Sequence, residues 1–593
     1  MTSHPISMFL AALVAMLAGV PALAASWTWD NGAYQNATTL GGTYIGTGQW
    51  SNNTNWVGNG TTPPAGGPNN VADDVTFNQY LDNPQQVVSG SVSGTAVNVL
   101  WIKSASGSGS TFNLNSITLS GTSAKYLWAI KPTVSSTSNI GTAQVIQLNG
   151  GGITMAAGSG PAFFGNANAG ARGNLNVQLL ANQSITNNSA ADLTFGTPDN
   201  ATFNSQTLVG GNNGSNVRGL QIIGSAAGPG NVAMTATLNA ASSGNIVVNG
   251  NFTNGSGAGG LQVVVNNTGS GQVISTGNFA LSAAGLLNLP NPSGLRILGG
   301  TMVVAGTYTA ATTLTVNNGI EVGSGATLRI TRTGTLPLGT PATSGGGTLV
   351  YDGGSGSVLQ VSGTLGHTGG TTVSSGTLQL TSGATLGTGN IAVASGARLD
   401  FNQPTPANVL YSGTISGAGQ LTKFGSGTFA LTGNNAFTGG ITAGDGVLSM
   451  AQLDVSRLIT GTAPGTLAVA GNGTLDVSTA NNAGGLAFRL GTASDLVTVA
   501  SGNLQIGNGL LNFNDFTFTT GSGFGQGSYT LFSSAALLGS LGSSTSGTVG
   551  GLPATLQVSG NTILLSVVPE PSLTAALIAG LGMGGLILRR RQS

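Results

Sequence analysis

The sequence predicts an all-β protein: a right-handed parallel β-helix (solenoid) with β caps, preceded by a signal peptide helix and followed by a transmembrane helix. Three observations predict it. The first is composition: 100 of 593 residues are glycine, 5% are charged, the formal net charge is zero and cysteine is absent. A 40% hydrophobic content with so few charges argues against a disordered polyelectrolyte, and glycine without a strict collagen-like period argues against a triple helix. The second is a recurring phrase in which Gly and a small step precede an apolar-x-apolar triplet. It reads Gly300-Thr301-Met302-Val303-Val304, Gly347-Thr348-Leu349-Val350-Tyr351, Gly376-Thr377-Leu378-Gln379-Leu380, Gly427-Thr428-Phe429-Ala430-Leu431, Gly446-Val447-Leu448-Ser449-Met450 and Gly473-Thr474-Leu475-Asp476-Val477. With a single insertion it returns at Gly325 to Ile330 and Gly396 to Phe401, so that successive glycines recur at a short but irregular period. The third is strand length. Each run is too short to bury a face alone, so its apolar positions must stack on the next coil, with Gly or Asn at the corners.

The elements follow in chain order. Residues 1–24 read as a signal peptide: Ile6 to Val20 is apolar, and Ala22-Leu23-Ala24 followed by Ala25 is a small-x-small cleavage site, cut after Ala24 or after Ala25. Export of this kind implies the Sec machinery and signal peptidase as partners. Residues 25–95 form an N-terminal cap that holds Trp27, Trp29, Trp50 and Trp56, whose rings are expected to cover the open edge of the first coil. The solenoid is expected over 96–489, as one long body with Leu378, Leu399, Phe429, Leu448 and Leu475 pointing inward. A change to alternating strands, among them Leu496 to Val499, Phe513 to Phe518 and Ile563 to Val567, marks a C-terminal β cap over 490–566.

Residues 567–593 are an address. Pro569-Glu570-Pro571 is a stiff extended stalk, because each proline fixes φ and biases its predecessor to extended backbone. The uncharged run from Ser572 to Leu588 spans roughly 25 Å as a helix, slightly short of the ~30 Å hydrocarbon core. Arg589, Arg590 and Arg591 follow and hold that end in the cytoplasm. In order, spacing and position these residues resemble the PEP-CTERM sorting signal of Gram-negative bacteria. The resemblance implies recognition of Pro569, Glu570 and Pro571 by an exosortase-type membrane protease and a transient stay in the inner membrane. It also implies deposition at the cell surface or in the extracellular matrix, in association with exopolysaccharide or biofilm. An ordinary tail anchor is the plainer alternative.

The clearest repeat runs from Gly417 to Met450. Leu421, Thr422, Lys423, Gly425, Gly427, Asn434, Asn435, Phe437, Thr438, Gly439 and Gly440 resemble the autotransporter-associated β-strand repeat, and a partial copy covers 367–380. This resemblance implies a passenger-like β-helix.

Catalytic chemistry is weakly represented. His367 is the only histidine after signal removal and aligns with Phe437, which suggests a stacked or exposed turn residue rather than a base. One His and no Cys leave no transition-metal site and no cofactor in view. Asp73 and Asp74 are adjacent, so an extended strand points them to opposite faces and they cannot flank one glycosidic bond. Asp192 and Asp199, on either side of Gly196-Thr197-Pro198, suit capping and Asx turns. Glu321 is the only glutamate outside the tail and reads, with Arg329 and Arg332, as a surface ion pair. No basic patch suggests nucleic acid. The residues point to a non-catalytic surface or matrix protein, with an adhesin or a polysaccharide hydrolase or lyase as alternatives.

Overall fold

The computed structural model describes the strands Ser26–Trp29, Trp56–Gly58 and Asp74–Phe77 and then most of the chain from 98 to 569. Its longer interruptions are 104–110, 131–143, 167–174, 209–220, 225–233, 282–292 and 455–465. Residues 1–25 and 570–593 lie outside it, and with them both expected terminal helices. Among the described residues the regular elements are strands, with short 3-10 turns such as Ser478–Ala480 and Phe513–Asp515, and no helix is long and apolar enough to cross a membrane.

The chain divides into two compact units, residues 1–349 and 350–593. Each is built from parallel ladders in which a residue sits in register on its counterpart one coil later. In the first unit one inward column runs Ile117, Ile153, Ile185, Leu238, Val265, Ile297 and Val322. All of these are fully buried. A second ladder takes Phe112, Ile146, Val177, Ile222, Phe252, Phe279 and Leu314. The third takes Leu127, Phe164, Phe195, Val248, Ser275, Val304 and Ile330. Neighbouring rings repeat the spacing of paired strands, Phe164 to Phe195 at 5.0 Å and Phe252 to Phe279 at 4.9 Å between centroids. Such stacks add about 0.5–1.5 kcal/mol each to the burial term.

Why these segments become strands is visible in their alternation. Gln183–Asn187 alternates buried and more exposed positions, and Ile246–Val248 does the same. Val, Ile and Thr suit a pleated, half-buried surface, and each inward aliphatic side chain contributes roughly 1.5–3 kcal/mol by leaving water.

The second unit repeats the plan, with shorter coils as far as Ile441. Leu359, Leu378, Leu399, Leu421, Ile441, Val469 and Val499 form one ladder. Val409, Phe429, Leu448, Leu475, Leu504 and Leu537 form another. A third takes Thr371, Ile391 and Ile415, and a separate three-stranded sheet stacks Leu453, Leu486 and Phe516. The residues expected inside, Leu378, Leu399, Phe429, Leu448 and Leu475, are all buried.

Their distribution differs from a simple one-phrase-per-coil reading, since Leu378 and Leu399 share one ladder while Phe429, Leu448 and Leu475 share another. The phrase marks a strand that starts after a tight corner. A coil with several strands has several such corners, so the phrase wanders among the ladders.

The C-terminal boundary also differs. Leu496–Asn508 pairs in parallel with Thr466–Ala470, Thr474–Asp476 and Gly527–Ser540, so the parallel coil continues well past 490. Antiparallel pairing begins on the far edge of Gly527–Ser540 and includes Thr562–Val567, Leu552–Ser559 and Ser546–Val549. Alternation reveals a strand but not the direction of its partner, which is why the pattern alone puts the change at 490. At the other end Ser26–Trp29 pairs antiparallel with Trp56–Gly58 and in parallel with Asp74–Phe77. That backbone arrangement is a short mixed cap; the tryptophan side chains lie outside the described part.

Candidate functional site

The tail begins where the last sheet ends. Thr562–Val567 is a central strand, antiparallel to Gly527–Ser540 on one side and to Leu552–Ser559 on the other. Ile563, Leu565 and Val567 alternate inward and are buried. The Val568 N–H then donates to the Pro553 carbonyl oxygen at 3.0 Å, while the Val568 side chain and Pro569 are exposed. Of the predicted handle, Pro569 is therefore placed at the surface; Glu570, Pro571, Arg589, Arg590 and Arg591 fall outside the described residues, as do Ala22, Ala24 and Ala25.

The repeat region carries buried polar side chains. His367 is 2% exposed, with its Nε2 2.9 Å from the Thr371 hydroxyl, and burial lowers its pKa from the ordinary value. It is a buried residue, not an exposed turn, and the ladder partner of Phe437 is Gly417. Aligning the two copies directly misleads here because coils of unequal length separate them. Lys423 is also inside: its ammonium donates to the carbonyl oxygens of Phe424 at 3.0 Å and Gly425 at 2.6 Å, closing the corner of the coil. This is a structural reason for a lysine at that place in the repeat. Tyr411 donates from its hydroxyl to the Gly389 carbonyl oxygen, and burial pushes its pKa up.

In the first unit Arg332 is fully buried, and the expected ion pair with Glu321 is replaced by other partners. Its guanidinium donates to the carbonyl oxygens of Ala305 at 2.9 Å and Gly277 at 2.7 Å, and desolvation pushes its pKa down to about 10. Glu321 instead pairs with Arg296, its ladder neighbour, and Arg329 is exposed. The signal is present in the sequence, because Leu328, Ile330 and Arg332 are in phase at period two, as are Leu421 and Lys423. Nearness of opposite charges along the chain masks that phase.

The described carboxylates are engaged in holding corners and pairs. Asp192 accepts from the Asn245 N–H at 2.8 Å, and Asn245 in turn accepts from the Gln272 N–H at 2.9 Å, so this column of polar side chains clips successive coils together. Asp352 accepts from the Ser375 hydroxyl at 2.6 Å, and Asp476 accepts from the Ser478 N–H at 2.9 Å. Asp495, fully buried, takes the Arg489 guanidinium at 3.1 Å together with the Arg489 N–H at 2.7 Å. Asp400 is held by Arg398 at 3.1 Å. Asp73 and Asp199 fall outside the described residues. No group of three or more His, Cys, Asp or Glu that could hold a metal occurs among the described residues.

Among known families, the Passenger-associated-transport-repeat, an autotransporter-associated repeat, matches residues 356–380 and 421–450. Both matched segments lie in the short-coil part of the second unit, and the first begins upstream of the partial copy at 367–380. No curated protein and no solved structure matches the chain.

Proposed function

We propose that the protein is an exported, non-catalytic surface or extracellular matrix protein. In this reading it is a right-handed parallel β-helix that a signal peptide sends through the Sec machinery and that its tail delivers to an exosortase-type protease in the inner membrane. The right hand follows from the general preference of parallel crossovers. The observation that carries the reading is the exposed Pro569, which leaves a fully paired cap strand with no intervening loop and opens a Pro-Glu-Pro, apolar, triple-arginine tail. The transport-repeat matches support export of a passenger-like body. Exopolysaccharide of a biofilm matrix is the proposed external partner, and no nucleic acid, cofactor or metal is assigned. Carboxylates committed to corners and arginine pairs support a scaffold over a glycan hydrolase or lyase. The repeat match also accommodates an autotransporter-like adhesin.

The test replaces Pro569-Glu570-Pro571 by alanines. Both units are expected to fold unchanged while the intact tail accumulates in the inner membrane and surface deposition falls. Normal processing and deposition of that variant overturns sorting in favour of a plain anchor. Cleavage of polysaccharide by the purified protein, lost on substitution of an Asp, overturns the scaffold reading.

A further inference from the structure

We propose that the antiparallel cap is a clamp that sets the upstream limit of tail processing, so that any peptide bond cut to release the protein lies C-terminal to Val568. A protease holds its substrate as an extended strand through backbone N–H and C=O groups, and those groups must be free to be gripped. In Thr562–Val567 they are taken on both edges. Residues from Thr562 to Val567 face Ser533 to Gly527 on one side and Ser559 to Ala554 on the other. Ile563 and Leu565 are 0% exposed and Val567 is 3% exposed, so gripping this strand requires opening the core of the cap. Val568 is the transition: its N–H is still held by Pro553 although the residue is 48% exposed. Pro569 is exposed and has no N–H to place, so the two-sided pairing ends before it.

The same arrangement limits which enzymes could act. No Lys or Arg occurs between Arg489 and Arg589, and no charged residue of either sign between Phe516 and Pro569. A processing enzyme that selects basic residues therefore has no site in the cap or the stalk. Whether the acyl group passes to water or to an amine, the new amine with its proton leaves on the membrane-bound tail, and the body keeps every strand of the cap.

This inference rests on the sorting reading only for the identity of the enzyme, and two measurements separate them. In the first, the purified full chain in detergent is treated briefly with proteinase K and the cut positions are mapped by mass spectrometry. Cuts are expected from Pro569 onward and suppressed at least about tenfold within Thr562–Val567, the signature of a locally stable segment. The Leu565→Pro substitution removes a backbone donor from the strand and is expected to open 562–567 to the protease. Cuts inside 562–567 of the unaltered chain at the rate seen in the tail overturn the clamp, whatever the variant does. In the second, the mature C-terminus is read from native envelopes. A terminus upstream of Val568 overturns the clamp and leaves sorting standing; an intact Ser593 overturns sorting, and the proteinase K pattern still decides the clamp.

Discussion

Residues 358–450 and residues 144–330 build the same kind of core with very different lengths of chain. In the former, Leu378, Leu399, Leu421 and Ile441 follow one another at short and nearly even steps. In the latter, the step from Ile185 to Leu238 is more than twice as long as any of those, and the steps onward through Val265 and Ile297 to Val322 are longer and uneven. Register inside is indifferent to this. An inward column needs only that each coil return to the same point one strand spacing along, and the entropy of closing a loop grows slowly with its length. Spare residues therefore collect at corners. The Ala201–Phe203 and Gln206–Leu208 hairpin, a two-stranded sheet of its own, occupies part of the longest excursion.

Short coils have no such slack, yet the two regions satisfy their inner polar groups by the same two devices. Some side chains fold back into their own corner, as Lys423 does onto Phe424 and Gly425, His367 onto Thr371 and, in the long coils, Asn187 onto Ala191. Others bond along the axis: Asn245 bridges Asp192 and Gln272 in the long coils, and Tyr411 reaches the Gly389 carbonyl of the preceding coil in the short ones.

The sharpest way to break the comparison is at Gly417. Its φ is 102°, and a Cβ there would run into the Val393 carbonyl oxygen of the coil beneath. Gly417→Val is expected to cost more than about 4 kcal/mol, because backbone strain and a backbone clash coincide where no loop can absorb them. A short Gly-Ser-Gly-Ser insertion between 212 and 213, in the long excursion, is expected to cost under about 1 kcal/mol. Equal losses for the two variants in denaturant titrations would sink the distinction between tight and slack coils.

Next in size are matched truncations of the two columns. Leu399→Ala and Ile297→Ala each remove a fully buried side chain, and losses of about 2–5 kcal/mol are expected for both. Similar values would confirm that coil length leaves the core unchanged; a much smaller loss at Ile297 would show the long coils relaxing around the cavity.

Ser275 gives a smaller effect of opposite sign. It lies between Val248 and Val304 in an apolar column, fully buried, and its hydroxyl has no hydrogen-bond partner. Ser275→Ala is expected to stabilise by about 1 kcal/mol, since it removes an unsatisfied polar group. A loss of stability would mean that the hydroxyl is paired in solution.

The smallest effect is the pH dependence of His367. Burial favours the neutral ring in the folded state, so below about 6.5 the unfolded chain binds the extra proton and stability falls as the pH falls. Thermal unfolding across the mildly acidic range should show this slope, and His367→Gln should flatten its contribution. An unchanged slope in the variant would assign it to other groups.

Local pattern along the chain was enough to establish that the protein is β, that it is organised in short stacked strands, and which leucines face inward. Alternation at period two and the glycine phrase are local, and burial of Leu378, Leu399 and Leu475 follows from phase alone. The repeat was legible too, as the matches at 356–380 and 421–450 agree with the residues singled out. Which ladder each strand joins emerged from the folded chain alone, since the same phrase precedes strands of different ladders. So did the inward turn of Arg332 and Lys423 onto carbonyls, the pairing of Glu321 with Arg296, and the persistence of parallel pairing to Ser540. The physical reason is the same in each case: a side chain's phase is written in its immediate neighbours, whereas its partner is supplied by another coil, as far along the chain as Leu238 is from Ile185. The strand that holds the tail shows this most directly, for Ile563 to Val567 reads as a strand in isolation, but its being gripped on both edges depends on Gly527–Ser540 and Leu552–Ser559 arriving from elsewhere in the chain.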